Sequence, residues 1–169
     1  MLRGGIQMLG SDSLETLYVV SAFVLQAILI VHFTFRKWRF ETAIRYGFIV
    51  YGLSIPFAVG SLLLLLGGKT WLFWLGGLIY LLWAILGYVT EYILKVEWRL
   101  PIRWSIFGPY LFLYFGMLMF YWWPLARINK ILWYLYAVLF LISTFLNVTS
   151  HKRPTEAVKP EGPEKVPGR

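Results

Sequence analysis

The chain contains no cysteine, so disulfides, thiolate metal sites and thiol nucleophiles are all excluded. Aspartate occurs once, at Asp12, and histidine twice, at His32 and His151. Charged residues of either sign make up only 14% of the sequence, against roughly a quarter in an ordinary soluble domain. A soluble fold of this size could not cover its surface with so few charges. No Gly-rich phosphate loop, nucleophile elbow or His-Glu-x-x-His helix is present. Metal ligands are too scattered for a zinc or di-metal site, so the expectation is that no metal is bound. A haem held between two histidines needs both inside one bundle at one depth, and His151 lies beyond the last apolar run. There is no internal repeat of the kind on which larger secondary transporters are built.

What the chain has instead is apolar sequence: 59% hydrophobic residues, arranged in five long runs. A helix needs about 20 mostly apolar residues to cross a hydrocarbon core of about 30 Å. The runs place spans near residues 16–35, 47–66, 71–91, 104–123 and 128–149. They lack the alternation of barrel strands, and an isolated strand in lipid leaves its backbone unpaired. The expected fold is all-α: one polytopic integral membrane domain, a five-helix transmembrane bundle. The first run is too long for a signal-peptide core and has no small-residue cleavage site after it, so it stays as a span. Residues 1–15 form an N-terminal extension, partly disordered, in which Met8 is an alternative start. Residues 152–169, with four prolines and no aromatic residue, form a disordered tail.

The net charge of +8 does not point to nucleic acid, because the basic residues sit in short loops between spans. Arg36, Lys37, Arg39, Arg45, Lys95, Arg99, Arg103, Lys152 and Arg153 fall on one side; Arg3, Lys69, Arg127 and Lys130 fall on the other. Nine against four puts the first set in the cytoplasm, with the N-terminus outside and the C-terminus inside. A bacterial or archaeal cytoplasmic membrane is the expected location. Trp71, Trp74, Trp122, Trp123 and Trp133 mark an outer aromatic belt; Trp38, Trp98 and Trp104 mark an inner one. The turn Gly67-Gly68-Lys69-Thr70 and the turn Pro124–Arg127 make spans 2 and 3, and spans 4 and 5, antiparallel neighbours. The segment from Glu97 to Arg103 is expected to lie along the inner interface.

Small residues mark the helix contacts: Gly47, Ser54, Ala58 and Ser61 in span 2, and Gly77, Ala84 and Gly87 in span 3. Pro56 removes a backbone donor inside span 2 and predicts a kink there. Ionisable groups within spans are the default pointers to function, and there are few. Glu91 stands 20 residues after Trp71, about 30 Å along a helix, so it lies at the inner boundary. It shares a face with Gly77, Tyr80, Ala84 and Gly87 and points into the bundle, or else pairs with Lys95 one turn on. His32 near the end of span 1 and Asn147 near the end of span 5 reach the same depth, where Tyr51 and Tyr110 also begin their spans. His32, Glu91, Asn147, Tyr51, Tyr80 and Tyr110 are therefore the candidate ligand-binding residues, with Glu91 and His32 the only acid–base candidates. Gln26 sits mid-span, about 120° around span 1 from His32, and is expected to bond a neighbouring helix.

Aromatic residues reach 20%. They serve belts and packing, or line a pocket for a flat apolar molecule such as a quinone or lipid. The segment Trp104-Ser105-Ile106-Phe107-Gly108-Pro109-Tyr110 resembles a Trp-x-Phe-Gly-Pro segment of the translocator, or tryptophan-rich sensory, protein family, which also has five spans rich in tryptophan. That segment comes early in the family and in span 4 here, so no residue role is carried over.

Three readings of function remain. One is a non-enzymatic membrane protein that binds an apolar small molecule or lipid, or serves as a small subunit of a membrane complex. Another is a membrane enzyme acting on a lipid-like substrate with Glu91 and His32. The third is a small transporter or channel formed on oligomerisation. No cofactor is identified beyond a bound lipid or quinone-like molecule, and the expected partners are membrane lipids, other membrane subunits or further copies of the chain.

Overall fold

The computed structural model describes residues 11–96, 98 and 102–150. The expected disorder of the tail, His151, and the residues Glu97 and Arg99 lie outside these. Helix α1 (Ser11–Trp38) is followed by α2 (Phe40–Gly52), α3 (Ser54–Leu66), α4 (Trp71–Tyr88), a π-helical turn (Val89–Ile93), α5 (Trp104–Trp122), a single turn α6 (Leu125–Ile128) and α7 (Lys130–Thr149). Together they form five rods of 27, 27, 23, 25 and 20 residues, each long and apolar enough to cross a membrane.

The rods are longer than the apolar runs at two places, for one reason. Polar turns continue a helix without adding hydrophobicity. Asp12 stands in the first turn of α1 and Arg36 and Lys37 in its last, where each sign complements the helix dipole. Residues 11–15, assigned from sequence to the extension, are therefore helical. At the other end α1 and α2 are joined by Arg39 alone (φ −139°, ψ 66°), rather than by a loop running to residue 46. Ala43, Gly47 and Tyr51 already face inward on the first turns of α2, which is why the helix starts so early.

The Pro56 interruption falls at Leu53, which separates α2 from α3. Without an N–H, Pro56 cannot bond the Gly52 carbonyl four residues earlier. Beside the break the Ser54 hydroxyl donates to the Tyr51 carbonyl at 2.6 Å. The end of the third rod is also irregular. The Leu94 amide bonds the Val89 carbonyl, five residues back, at 2.8 Å. Thr90 sends its hydroxyl to the Leu86 carbonyl at 2.8 Å.

The helices form a ring in chain order. α1 packs between α2 and α7, α3 packs along α4, α4 along α5, and α5 meets α7 over a shorter contact. The contact of α3 with α4 is the closest approach, because Gly77 faces Ser61 and Phe57 with no side chain between. At the end opposite Arg36 the Lys69 ammonium bonds the Glu15 carboxylate at 2.8 Å, tying α1 to the turn before α4.

Polar residues are buried and large apolar ones exposed to a degree unusual in a soluble protein. Gln26, Ser54, Ser61, Ser143 and Asn147 are buried, whereas Val20, Val31, Ile55, Leu62, Phe112, Leu141 and Phe145 are exposed. Only a hydrocarbon solvent makes that arrangement favourable, because apolar rims cost nothing in lipid while polar groups need partners inside. The protein is an integral membrane protein.

The core is largely aromatic. The buried Trp83 ring lies 5.1 Å from Tyr110, 5.6 Å from Tyr51 and 6.0 Å from Tyr80. Exposed Trp38, Trp71, Trp104 and Trp123 suit headgroup depth. Trp98 does not join them. It is 2% exposed and packs on Tyr110 at 4.9 Å, so it plugs the end of the bundle rather than lying along the interface. Its neighbours are polar and charged in sequence, which is why the reading by composition misplaces it.

Candidate functional site

The end of the bundle that carries Arg36, Arg39, Arg45 and Arg103, here the basic end, holds most of the residues singled out from sequence. Between α1 and α2 it also holds a groove of about 460 Å³. Its α1 wall is Ala27, Ile28, Val31, His32 and Phe35; the facing wall is Thr42, Ala43, Tyr46, Gly47, Ile49 and Val50 of α2 with Leu53 just beyond it. The groove exists because the facing positions are small. Ala27, Ala43 and Gly47 hold two helices near one another yet leave the space between them unfilled. A Cβ on Gly47 would lie 2.7 Å from the Tyr92 hydroxyl and 3.7 Å from the His32 ring, so glycine there admits both side chains. The Tyr92 hydroxyl donates to the Ile44 carbonyl at 2.6 Å, bolting the π-helical turn to α2.

Glu91 sits in that π-helical turn. The Tyr51 hydroxyl donates to its Oε2 at 2.8 Å, and Arg36 Nη1 approaches Oε1 at 3.6 Å. The carboxylate thus joins three rods: α1 through Arg36, α2 through Tyr51 and its own. Both side chains of the ion pair are mostly buried, at 10% and 21% exposure. Lys95, the partner offered by helical spacing, lies beyond the turn with a left-handed backbone (φ 49°) and is exposed. The π-helical turn carries the chain out of α-helical phase just where that spacing would have applied.

The sequence places His32, Glu91 and Asn147 at one depth, and the structure sends them to three surroundings. His32 lines the groove. Glu91 lies at the junction of three rods with Tyr51. Asn147 is buried on α7, beside Tyr114 of α5 together with Ser143 and Thr144. Tyr80 and Tyr110 are wholly buried in the aromatic core, the Tyr80 hydroxyl donating to the Val50 carbonyl at 2.6 Å. Neither lines the groove. Gln26, also wholly buried, lies beside the Tyr136 hydroxyl of α7.

Arg36 as the partner of Glu91 was not singled out from sequence, nor were the groove walls other than His32 and Gly47, Thr42 and Tyr46 among them. Arg36 follows His32 by four residues and so shares its face, a signal that helical spacing alone supplies. Thr42 and Tyr46 carried none, because the sequence reading put them in a loop. Among the described residues no three His, Asp or Glu side chains come together. Comparisons with known protein families, with curated proteins and with solved structures returned no match.

Proposed function

We propose that this membrane protein acts without catalysis, binding an apolar small molecule or a lipid chain in the groove between α1 and α2, alone or as a small subunit of a membrane complex. The observation that carries the reading is the groove itself. Its volume of about 460 Å³ lies within the range of about 300–1,000 Å³ usual for ligand pockets, and its walls are nearly all apolar. Exposed Val31, Phe35, Tyr46 and Ile49 stand at its margin, so an occupant reaches it from the lipid phase without crossing water.

The nine-to-four distribution of basic residues supports an orientation with the basic end in the cytoplasm, the N-terminus outside and the C-terminus inside. The groove would then open to the inner leaflet of a bacterial or archaeal cytoplasmic membrane.

A membrane enzyme acting on a lipid-like substrate is the second reading. One observation favours it: His32 lines the groove, and Arg36, the partner of Glu91, stands one helical turn beyond it. Against it, the Glu91 carboxylate is already engaged by Arg36 and Tyr51, which suits a clamp between rods better than proton transfer to a substrate.

The test is mass spectrometry of lipids and small molecules retained by the protein purified in mild detergent. Wild type should retain a defined lipid or quinone-like molecule near one per chain. Ala27→Trp fills the groove from its exposed wall, and should lose that molecule while melting within a few degrees of wild type. Retention by the filled variant at wild-type level would refute the groove as the site.

A further inference from the structure

We infer that the groove selects an anionic phospholipid, seating one acyl chain between α1 and α2 and its acidic headgroup at Arg45. This rests on the reading of the groove as a lipid site, and adds which lipid and which end of it goes where.

The first support is depth. From Thr42 to Leu53 the wall facing α1 rises 11 residues, about 16 Å of helix. Half of a hydrocarbon core of about 30 Å is about 15 Å. The groove is therefore about as long as a single leaflet's hydrocarbon is deep, and an acyl chain whose head lies near Arg45 occupies most of that length.

The second is the order of polarity along it. Thr42, Tyr46 and His32 stand toward the basic end; Ala27, Ile28, Val50 and Leu53 line the deep part. A molecule with a polar head and an apolar tail fits in one direction only. A membrane quinone shares that order of polarity but carries no anionic group, so it is the charge at the mouth that separates the two.

The third is charge at the mouth. The Arg45 guanidinium lies over the Tyr46 ring, 5.7 Å from its centroid, and Tyr46 lines the groove. That places a cation beside a groove-lining ring, with no donor consumed by the aromatic face. Arg39 begins the same helix and is exposed. Of the other basic residues at this end, Lys95 and Arg103 stand exposed on other elements, and Arg36 and Lys37 of α1 are engaged away from the groove mouth. Arg36 pairs with Glu91, and Lys37 is turned to the α7 side, over Trp38 and Phe145. Glu41 is exposed on the first turn of α2, yet among the described residues no carboxylate lies within ion-pair distance of Arg39 or Arg45. Arginine binds phosphate oxygens through paired donors, so a phosphodiester at the rim meets its natural partner. A net negative headgroup is preferred to a zwitterionic one, whose own cation would meet the same arginines.

The experiment reconstitutes the full chain into vesicles of equal phosphatidylglycerol and phosphatidylcholine with identical acyl chains. The protein is extracted in mild detergent and its co-purifying lipids are quantified by mass spectrometry. Wild type should enrich phosphatidylglycerol. Arg45→Gln should lower the ratio of the two lipids by about fivefold, the factor for one basic side chain at an anionic surface, with total bound lipid preserved. Arg127→Gln, at the opposite end of the bundle, should leave the ratio unchanged. If Ala27→Trp removes both lipids while Arg45→Gln keeps the wild-type ratio, the groove site stands and the headgroup inference fails. If Ala27→Trp leaves both lipids bound, the groove reading fails with it. Equal retention of the two lipids by wild type overturns the inference outright.

Discussion

Replacing Gly77 by alanine tests the packing at its tightest point. A Cβ there would meet the Ser61 Oγ, lie 2.6 Å from the Phe57 carbonyl oxygen and 3.1 Å from the Tyr121 hydroxyl. The two hydroxyls can swing aside. The Phe57 carbonyl cannot, because it belongs to the backbone of α3. Helices α3 and α4 must therefore part by several tenths of an ångström along their longest contact. Overpacking of this kind costs about 1–3 kcal/mol. Alanine regains about 0.5–1 kcal/mol relative to glycine within a helix. The net expectation is a loss of up to about 2.5 kcal/mol for Gly77→Ala, and more for Gly77→Leu. Gly60→Ala is the matched control: it lies within α3, and a Cβ there meets nothing within 4 Å. It should be neutral or stabilising by up to about 1 kcal/mol. Thermal unfolding in detergent, followed by circular dichroism, reads both. Should Gly77→Ala gain stability as Gly60→Ala does, the close approach of α3 and α4 is wrong.

Three further outcomes are expected. Glu91→Gln and Arg36→Ala should each destabilise modestly, and their double-mutant cycle should give a coupling near 1 kcal/mol, the upper range for a pair with some solvent access; zero coupling would deny the pairing. Trp98→Ala should cost about 3–5 kcal/mol, as for a large buried aromatic, whereas a tryptophan lying at the headgroups would cost far less. Reporter fusions after residues 42, 69, 100, 126 and 155 should alternate inside, outside, inside, outside, inside, and two consecutive fusions reporting one side would overturn the topology.

Much of the fold was legible in the sequence because lipid makes a simple demand. Every spanning backbone must satisfy itself, so five runs of about 20 apolar residues become five helices whatever else they do. Turn lengths made neighbours of spans 2 and 3, and the glycine at 77 marked where they touch. Pro56 announced an interruption before the chain was folded. Helical rise is constant, so an expected depth for His32, Glu91 and Asn147 was legible too.

Direction around the bundle was not. Two residues at one depth can stand on opposite sides of a rod, and which side they take depends on how neighbouring helices pack. The π-helical turn at Val89–Ile93 alters helical phase just at Glu91, sending its carboxylate to Arg36 and Tyr51, with Lys95 left exposed beyond the turn. The one-residue link at Arg39 turns an apparent loop into two helical turns, and so brings Thr42 and Tyr46 to a groove wall. Trp98 is buried against Tyr110, a placement that its polar sequence neighbours hide. Composition and period thus determined the class of the protein and its rods, because these follow from the solvent and the helix. The groove and the partners of Glu91 were decided by the tertiary structure alone, because they depend on azimuth, which no single rod carries in its sequence.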